Sequence, residues 1–263
     1  MRRSLDQLAD TLGMRSVAAQ SRDRIVGILT GDARWTTDPA ELAFRDRCRT
    51  DDRNLMQLLS FGLRRNSNCL DVGANEGLFL GDFRRVAPDG HHIAYEPLPS
   101  LFESLVRSFP DMDIRQRALS DHEGESSFVH VMDPHYEGYS GLQERPYPVE
   151  VSTETITVTT ERLDDHLPDG WLPDFVKIDV EGAEGLVIAG GIDTLRRSRP
   201  IMAIEHGGRG SEAFGSSDEE FFTVICKDIG LRLFDMDGHG PFDCPEFLDM
   251  LYSGKHWNWI AHD

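Results

Sequence analysis

Leu70-Asp71-Val72-Gly73-Ala74-Asn75-Glu76-Gly77 follows a short apolar run ending in Cys69 and leads into Leu78-Phe79-Leu80. That order is a buried strand, a glycine-bearing turn and the start of a helix. Glycine lets the turn backbone approach a bound ligand, and the free N–H groups of a helix start favour anionic or polar ligand atoms. In an open α/β sheet, such a turn after the first strand is where nucleotide-like cofactors sit.

Spacing and charge separate the cofactors. A dinucleotide fingerprint beginning at Gly73 requires glycine at 75 and 78, where the chain has Asn75 and Leu78. Asp71 places a carboxylate inside the strand end, where a pyrophosphate would meet a like charge. S-adenosylmethionine instead offers a sulfonium, an α-ammonium and a ribose diol, so the sign of the charge favours it over NAD. His91-His92-Ile93-Ala94-Tyr95-Glu96-Pro97 reads as a second strand ending in an acid, 23 positions after Gly73. An acid there accepts hydrogen bonds from a ribose. Pro97 stops the strand and opens the next helix.

Five segments stand in order: Leu70–Gly77, Tyr95-Glu96-Pro97, Ala118-Leu119-Ser120-Asp121, Phe175-Val176-Lys177-Ile178-Asp179-Val180-Glu181-Gly182-Ala183-Glu184, and Glu205-His206. Together they resemble the FkbM family of S-adenosylmethionine-dependent O-methyltransferases. The resemblance implies an α/β, Rossmann-like class I methyltransferase with a seven-stranded, mostly parallel sheet and helices on both faces. It implies a cofactor site of Asp71, Gly73, Asn75, Glu76, Gly77, Glu96, Pro97, Ala118, Leu119 and Asp179, with Asp121 near the adenine. It also implies a sugar hydroxyl as acceptor, in a glycan, a mannoside or a glycosylated metabolite. A non-sugar natural-product hydroxyl, or cofactor binding without catalysis, are the alternatives.

The chain of 263 residues is long enough for one sizeable α/β domain with appendages. Its 27 basic against 46 acidic residues, a net charge of −19, argue against a nucleic-acid partner, which needs phosphates neutralised. The four cysteines show no C-x-x-C spacing. They read as free thiols of a reducing, cytoplasmic compartment rather than zinc ligands. No apolar run reaches 18 residues, so no membrane partner is expected. A homodimer is left open.

Residues 1–38 read as a polar, helical extension, and 39–263 as a single catalytic domain opened by leading helices over 39–65. Strands are expected near 68–72, 91–95, 113–117, 174–178, 200–205, 230–235 and 256–261. Helices are expected at 76–87, 98–109, 184–195 and 217–228. Ser126–Met132 and Glu154–Thr159 form an inserted β excursion. The stretch 133–148 carries too much turn chemistry for an element. It is a candidate lid, with His135, Tyr139 and Ser140 as candidate substrate contacts.

Methyl transfer to oxygen is an in-line displacement in which alignment alone can contribute ~7–11 kcal/mol. An aliphatic hydroxyl is a very weak acid, so a general base or a divalent ion must help it. Asp179 closes one expected strand, and Glu205 and His206 close its neighbour. Two carboxylates and an imidazole suit Mg²⁺ or Mn²⁺, and Asp179, Glu205 and His206 are the candidate ligands. Side chains alternate along a strand, so Glu205 and His206 cannot both face the site if the strand runs through them. Asp179 serves equally as a helix cap or a contact to the cofactor's ammonium; as catalytic groups, His206 is assigned as the base, beside Asp179.

Overall fold

A computed structural model describes residues 39–133, 137–144, 147, 150–207 and 217–263. The expected extension over 1–38 and the candidate contact His135 lie outside the described residues. The chain divides into two units, Met1–Arg53 and Asn54–Asp263. Helix α1 (Pro39–Gly62) runs across that division as one helix where several leading helices were expected. All that follows concerns the second unit.

Strand β1 (Cys69–Val72) leads to α2 (Leu78–Val86), β2 (Ile93–Tyr95), α3 (Pro99–Ser108) and β3 (Asp113–Arg115). A second, three-stranded sheet follows from β4 (Ala118–Leu119), β5 (Gly124–Val131) and β6 (Thr153–Glu161), in the order β4-β6-β5. The short helix α4 (Leu163–His166) returns the chain to β7 (Phe175–Ile178), α5 (Glu184–Gly190), α6 (Ile192–Ser198) and β8 (Ile201–Glu205). Helix α7 (Asp218–Thr223) passes directly into a π-helical turn, Val224–Ile229, before β9 (Arg232–Asp235), α8 (Cys244–Tyr252) and β10 (Asn258–His262). The main sheet has seven strands in the order β3-β2-β1-β7-β8-β10-β9. Strands β3 to β8 in that order are parallel, and β10 runs antiparallel to both of its neighbours.

The pleat sorts the side chains into two cores. Leu70, Val72, Val176, Ile178, Met202 and Ile204 pack on one face with Phe221, Ile225 and Phe247. Cys69, Phe175 and Ala203 face the other way, against Leu59 of α1 and Phe79, Leu80 and Phe83 of α2. This period of two is the rule that later decides which residues share the site.

Two differences from the expected elements have local causes. The helix expected over 184–195 is broken at Gly191, which seats so tightly that a Cβ there would lie 2.8 Å from a Leu163 methyl carbon. Helix α8 was not expected from apolar periodicity; its signal is the cap. Asp243 accepts from the Glu246 N–H while the Glu246 carboxylate accepts from the Asp243 N–H, a reciprocal capping box with proline in the first turn.

Candidate active site

At the carboxyl ends of β1, β2 and β7 the turns part around a cleft of about 370 Å³, within the size range of small-molecule sites. Gly73, Asn75, Glu76, Glu96, Pro97, Ala118, Leu119 and Asp179 line it, as do Tyr139, Ser140 and Glu205. Asp71, Gly77, Asp121 and His206 do not.

The glycine turn is built by close approach. Gly73 has φ +82°, and a Cβ on it would lie 1.9 Å from the Asp179 carbonyl oxygen. Gly73→Ala is expected to cost roughly 1–3 kcal/mol from overpacking against backbone, with positive φ adding to it. Urea unfolding of the variant, compared with Gly81→Ala where the added Cβ meets open space at ordinary φ, checks this. Asn75 also has positive φ, 48°, a conformation its short polar side chain tolerates.

Glu96 holds the turn to the second strand. Its Oε2 accepts from the Asn75 N–H at 2.8 Å and its Oε1 from the Leu98 N–H at 2.9 Å. Burial nevertheless pushes its pKa up to about 7, the two N–H groups pulling the other way. Asp71 lies beneath the cleft, 1% exposed, with Oδ1 unpartnered. Burial raises its pKa to about 6, with Lys177 opposing.

The row of side chains behind the cleft follows from strand register. Asp71 stands opposite Lys177, and Lys177 opposite Ala203. Two residues on, the same face carries Asp179 and Glu205. Lys177 Nζ is 2.8 Å from Asp179 Oδ2 and lies over the Phe79 ring, 5.2 Å from its centroid. Burial works to lower the pKa of this ammonium; Asp179 and Asp71 overcome that and hold it above the ordinary value. Glu205 is held well above the usual carboxylate range by burial first, then by Asp179, Glu181 and Glu184.

His206 falls on the opposite face, as alternation requires. The strand pairing continues through it: its N–H donates to the Trp257 carbonyl at 2.7 Å, and its carbonyl accepts from Trp259 Nε1 at 2.8 Å. The imidazole stacks on Phe221 with centroids 3.7 Å apart, and Nε2 hydrogen-bonds Asp218 Oδ1 at 2.9 Å. It lines a separate cavity of about 520 Å³ with Ile188, Ile192 and Val224. The structure therefore does not bring His206 to Asp179 and Glu205, and the expected trio of metal ligands is reduced to two carboxylates. Among the described residues, the one trio whose ligand atoms lie within 4.8 Å of one another is Asp235, Asp237 and His239, at the outer strand β9.

The candidate lid contributes its described part. Glu137–Tyr139 is a single 3₁₀ turn, and Gly138 packs on Asn75, whose Nδ2 would be 2.9 Å from an added Cβ. Ser140 lines the cleft, but its hydroxyl is engaged, donating to the Glu137 carbonyl at 2.6 Å and accepting from the Val131 N–H at 3.0 Å. Asp121 instead pairs with His122 at 2.7 Å. Glu184 organises the turn after Asp179, its Oε1 accepting from the Gly182 N–H at 2.9 Å and the Val180 N–H at 3.3 Å. Glu181, at φ 60°, lines the cleft in a conformation unusual for a side chain of its length.

The profile of the methyltransferase FkbM domain matches residues 71–237. Over 146 residues the chain is 30% identical to the 2-O-methyltransferase NoeI of Sinorhizobium fredii (strain NBRC 101917 / NGR234), covering 50% of this chain and 60% of that protein. The chain thus spans about three fifths of the length of the curated relative it matches. Among solved structures, it is similar to methyltransferase FkbM from Methylobacillus flagellatus KT, with a TM-score of 0.48 and 14% identity over 76% of this chain and 44% of that one. A SAM-dependent methyltransferase from Aquifex aeolicus gives a TM-score of 0.38 and 15% identity over 86% and 93% of the two chains.

Proposed function

The chain belongs to the methyltransferase FkbM family, and from that premise we propose that it transfers a methyl group from S-adenosylmethionine to a neutral sugar hydroxyl. The observation that carries the reading is the acidic cleft: Glu76, Glu96, Glu137, Asp179, Glu181 and Glu205 line it against Arg117, the one basic lining residue among the described residues. Such a lining attracts a cationic donor and repels phosphate-bearing ligands. Glu96, at the end of β2, offers its carboxylate to a ribose diol, and Asp179 faces the donor's ammonium. The 2-O-methyltransferase named among the relatives supports oxygen as the acceptor atom.

The acceptor proton needs a destination. Glu205 lies beside Asp179 at the cleft, and no hydrogen bond engages its carboxylate among the described residues; its raised pKa makes it the stronger proton acceptor. The proton passes to this carboxylate as the acceptor oxygen forms its bond to the methyl carbon and the neutral thioether leaves. A divalent ion would have to be held by Asp179 and Glu205 without His206, and Lys177 already neutralises Asp179. That leaves a sparse donor set, one of its two carboxylates already paired with an ammonium, and no step is routed through a metal.

The test is transfer of labelled methyl to a panel of neutral glycosides, nucleotide-linked sugars and small phenols, with and without chelator. Label is expected as a methyl ether on a neutral glycoside, at a rate the chelator leaves unchanged. Transfer confined to the anionic or phenolic acceptors would overturn the acceptor assignment, and chelator-sensitive transfer the metal-free one.

A further inference from the structure

Lys177 is the one charged residue in the central strand Phe175–Ile178, whose other members are buried and apolar. Its side chain is 11% exposed and does not line the cleft. A buried ammonium is costly unless paired, so its retention in the middle of the sheet calls for a use. Register supplies one. The ammonium is flanked by Asp71 across the strand pair and by Asp179 two residues on, and the Phe79 ring face lies over it.

We propose that Lys177 is a positioning residue: through its ion pair it fixes the Asp179 carboxylate in the one orientation that presents the free oxygen to the donor. The assignment rests on the donor site described above. One Asp179 oxygen is tied down by Nζ, which leaves the other at the cleft edge. Nζ is attracted in turn by Asp71 across the strand pair and lies over the Phe79 ring, both on buried elements of the fold. Without the ammonium, the Asp179 side chain is free to rotate, and Asp71, Asp179 and Glu205 form an uncompensated row of acids.

The consequence is a split between turnover and binding. Lys177→Met removes a positive charge from beneath a cationic donor, so donor affinity is expected to hold or tighten. Turnover is expected to fall roughly 10- to 100-fold, the scale of a reacting group displaced by about an ångström. Acceptor KM should change little. Because Lys177 acts through Asp179, the loss should vanish in an Asp179→Asn background, where Lys177→Met/Asp179→Asn should turn over like Asp179→Asn alone. The double variant leaves no orphaned carboxylate at 179, so it serves even where Lys177→Met alone fails to fold.

Carbon-13 NMR of the aspartate carboxyls, with the Asp179 signal assigned by Asp179→Asn, reads the orientation without any acceptor. The signal should be single and sharp in the parent and broadened or doubled in Lys177→Met. An unchanged Asp179 signal, or additive losses in the double variant, would overturn the proposal. A parent enzyme that methylates no glycoside would sink the function instead, and the NMR comparison would still decide the role of Lys177.

Discussion

Glu205→Gln is expected to lower turnover by about 10²–10⁴-fold, the usual range for a lost general base, while donor affinity stays close to the parent's. The same substitution should stabilise the protein. Glu205 is a carboxylate that burial and three neighbouring acids drive above its ordinary pKa, with Lys177 as the opposing cation. Gln keeps its shape without an ionisable group, so the gain should grow as pH rises above the ordinary carboxylate range. Since the folded pKa is raised, the proton is held more tightly in the folded state. Glu205 therefore favours folding below its unfolded pKa, and that stabilisation is lost as pH rises through the folded value. Turnover runs in the opposite sense, because the ionised form is the base. Rapid-quench assays beside thermal melts from acid to mildly alkaline pH read both. Full activity in a folded Glu205→Gln protein would remove Glu205 from the chemistry.

Glu96→Gln addresses the donor. Hydrogen bonds to a charged group contribute about 1.5–3 kcal/mol each, so weakening a ribose contact should cost roughly 10- to 100-fold in affinity. The pH dependence is the sharper signature. With its pKa raised to about 7, Glu96 must lose a proton to accept from both ribose hydroxyls. Parent affinity should fall as pH drops below that value, approaching tenfold per unit, and the Gln variant should lack this slope. Donor-free stability bears the reverse sign: the contribution of Glu96 is complete below its unfolded pKa and is lost as pH rises through about 7. Calorimetric titration with donor on both sides of neutrality separates them. A pH-independent parent would exclude Glu96 from the donor site.

The succession of strands along the chain and the glycine turn at the cleft were legible in the sequence because each rests on local rules. Glycine at 73, the acid ending β2 and proline at 97 all act over a few residues. The alternation rule even stated that Glu205 and His206 must part company. Which of the two faced the cleft was not legible, because that depends on how Lys177 and Asp71 register across neighbouring strands. Lys177 itself carried a signal: a lone lysine in Phe-Val-Lys-Ile, in a chain with only Lys227 and Lys255 besides. Its role was not legible because Asp71, 106 residues upstream, comes beside it only through strand register, and nothing in the spacing shows that Lys177 turns to Asp179 two residues on. The pocket around His206 likewise depends on Phe221 and Asp218, brought in by a helix whose docking no spacing announces.

Strand β10 enters the sheet between β8 and β9, which sits at the rim and pairs with β10 alone. On a ribosome, Arg232–Asp235 therefore emerges before the one strand it pairs with. Trp259, wholly enclosed in the finished molecule, follows it in the chain and fills the gap. Closure of this rim should therefore wait for Asn258–His262, whose pairing joins β8 to β9 across a stretch of chain that comes later than both.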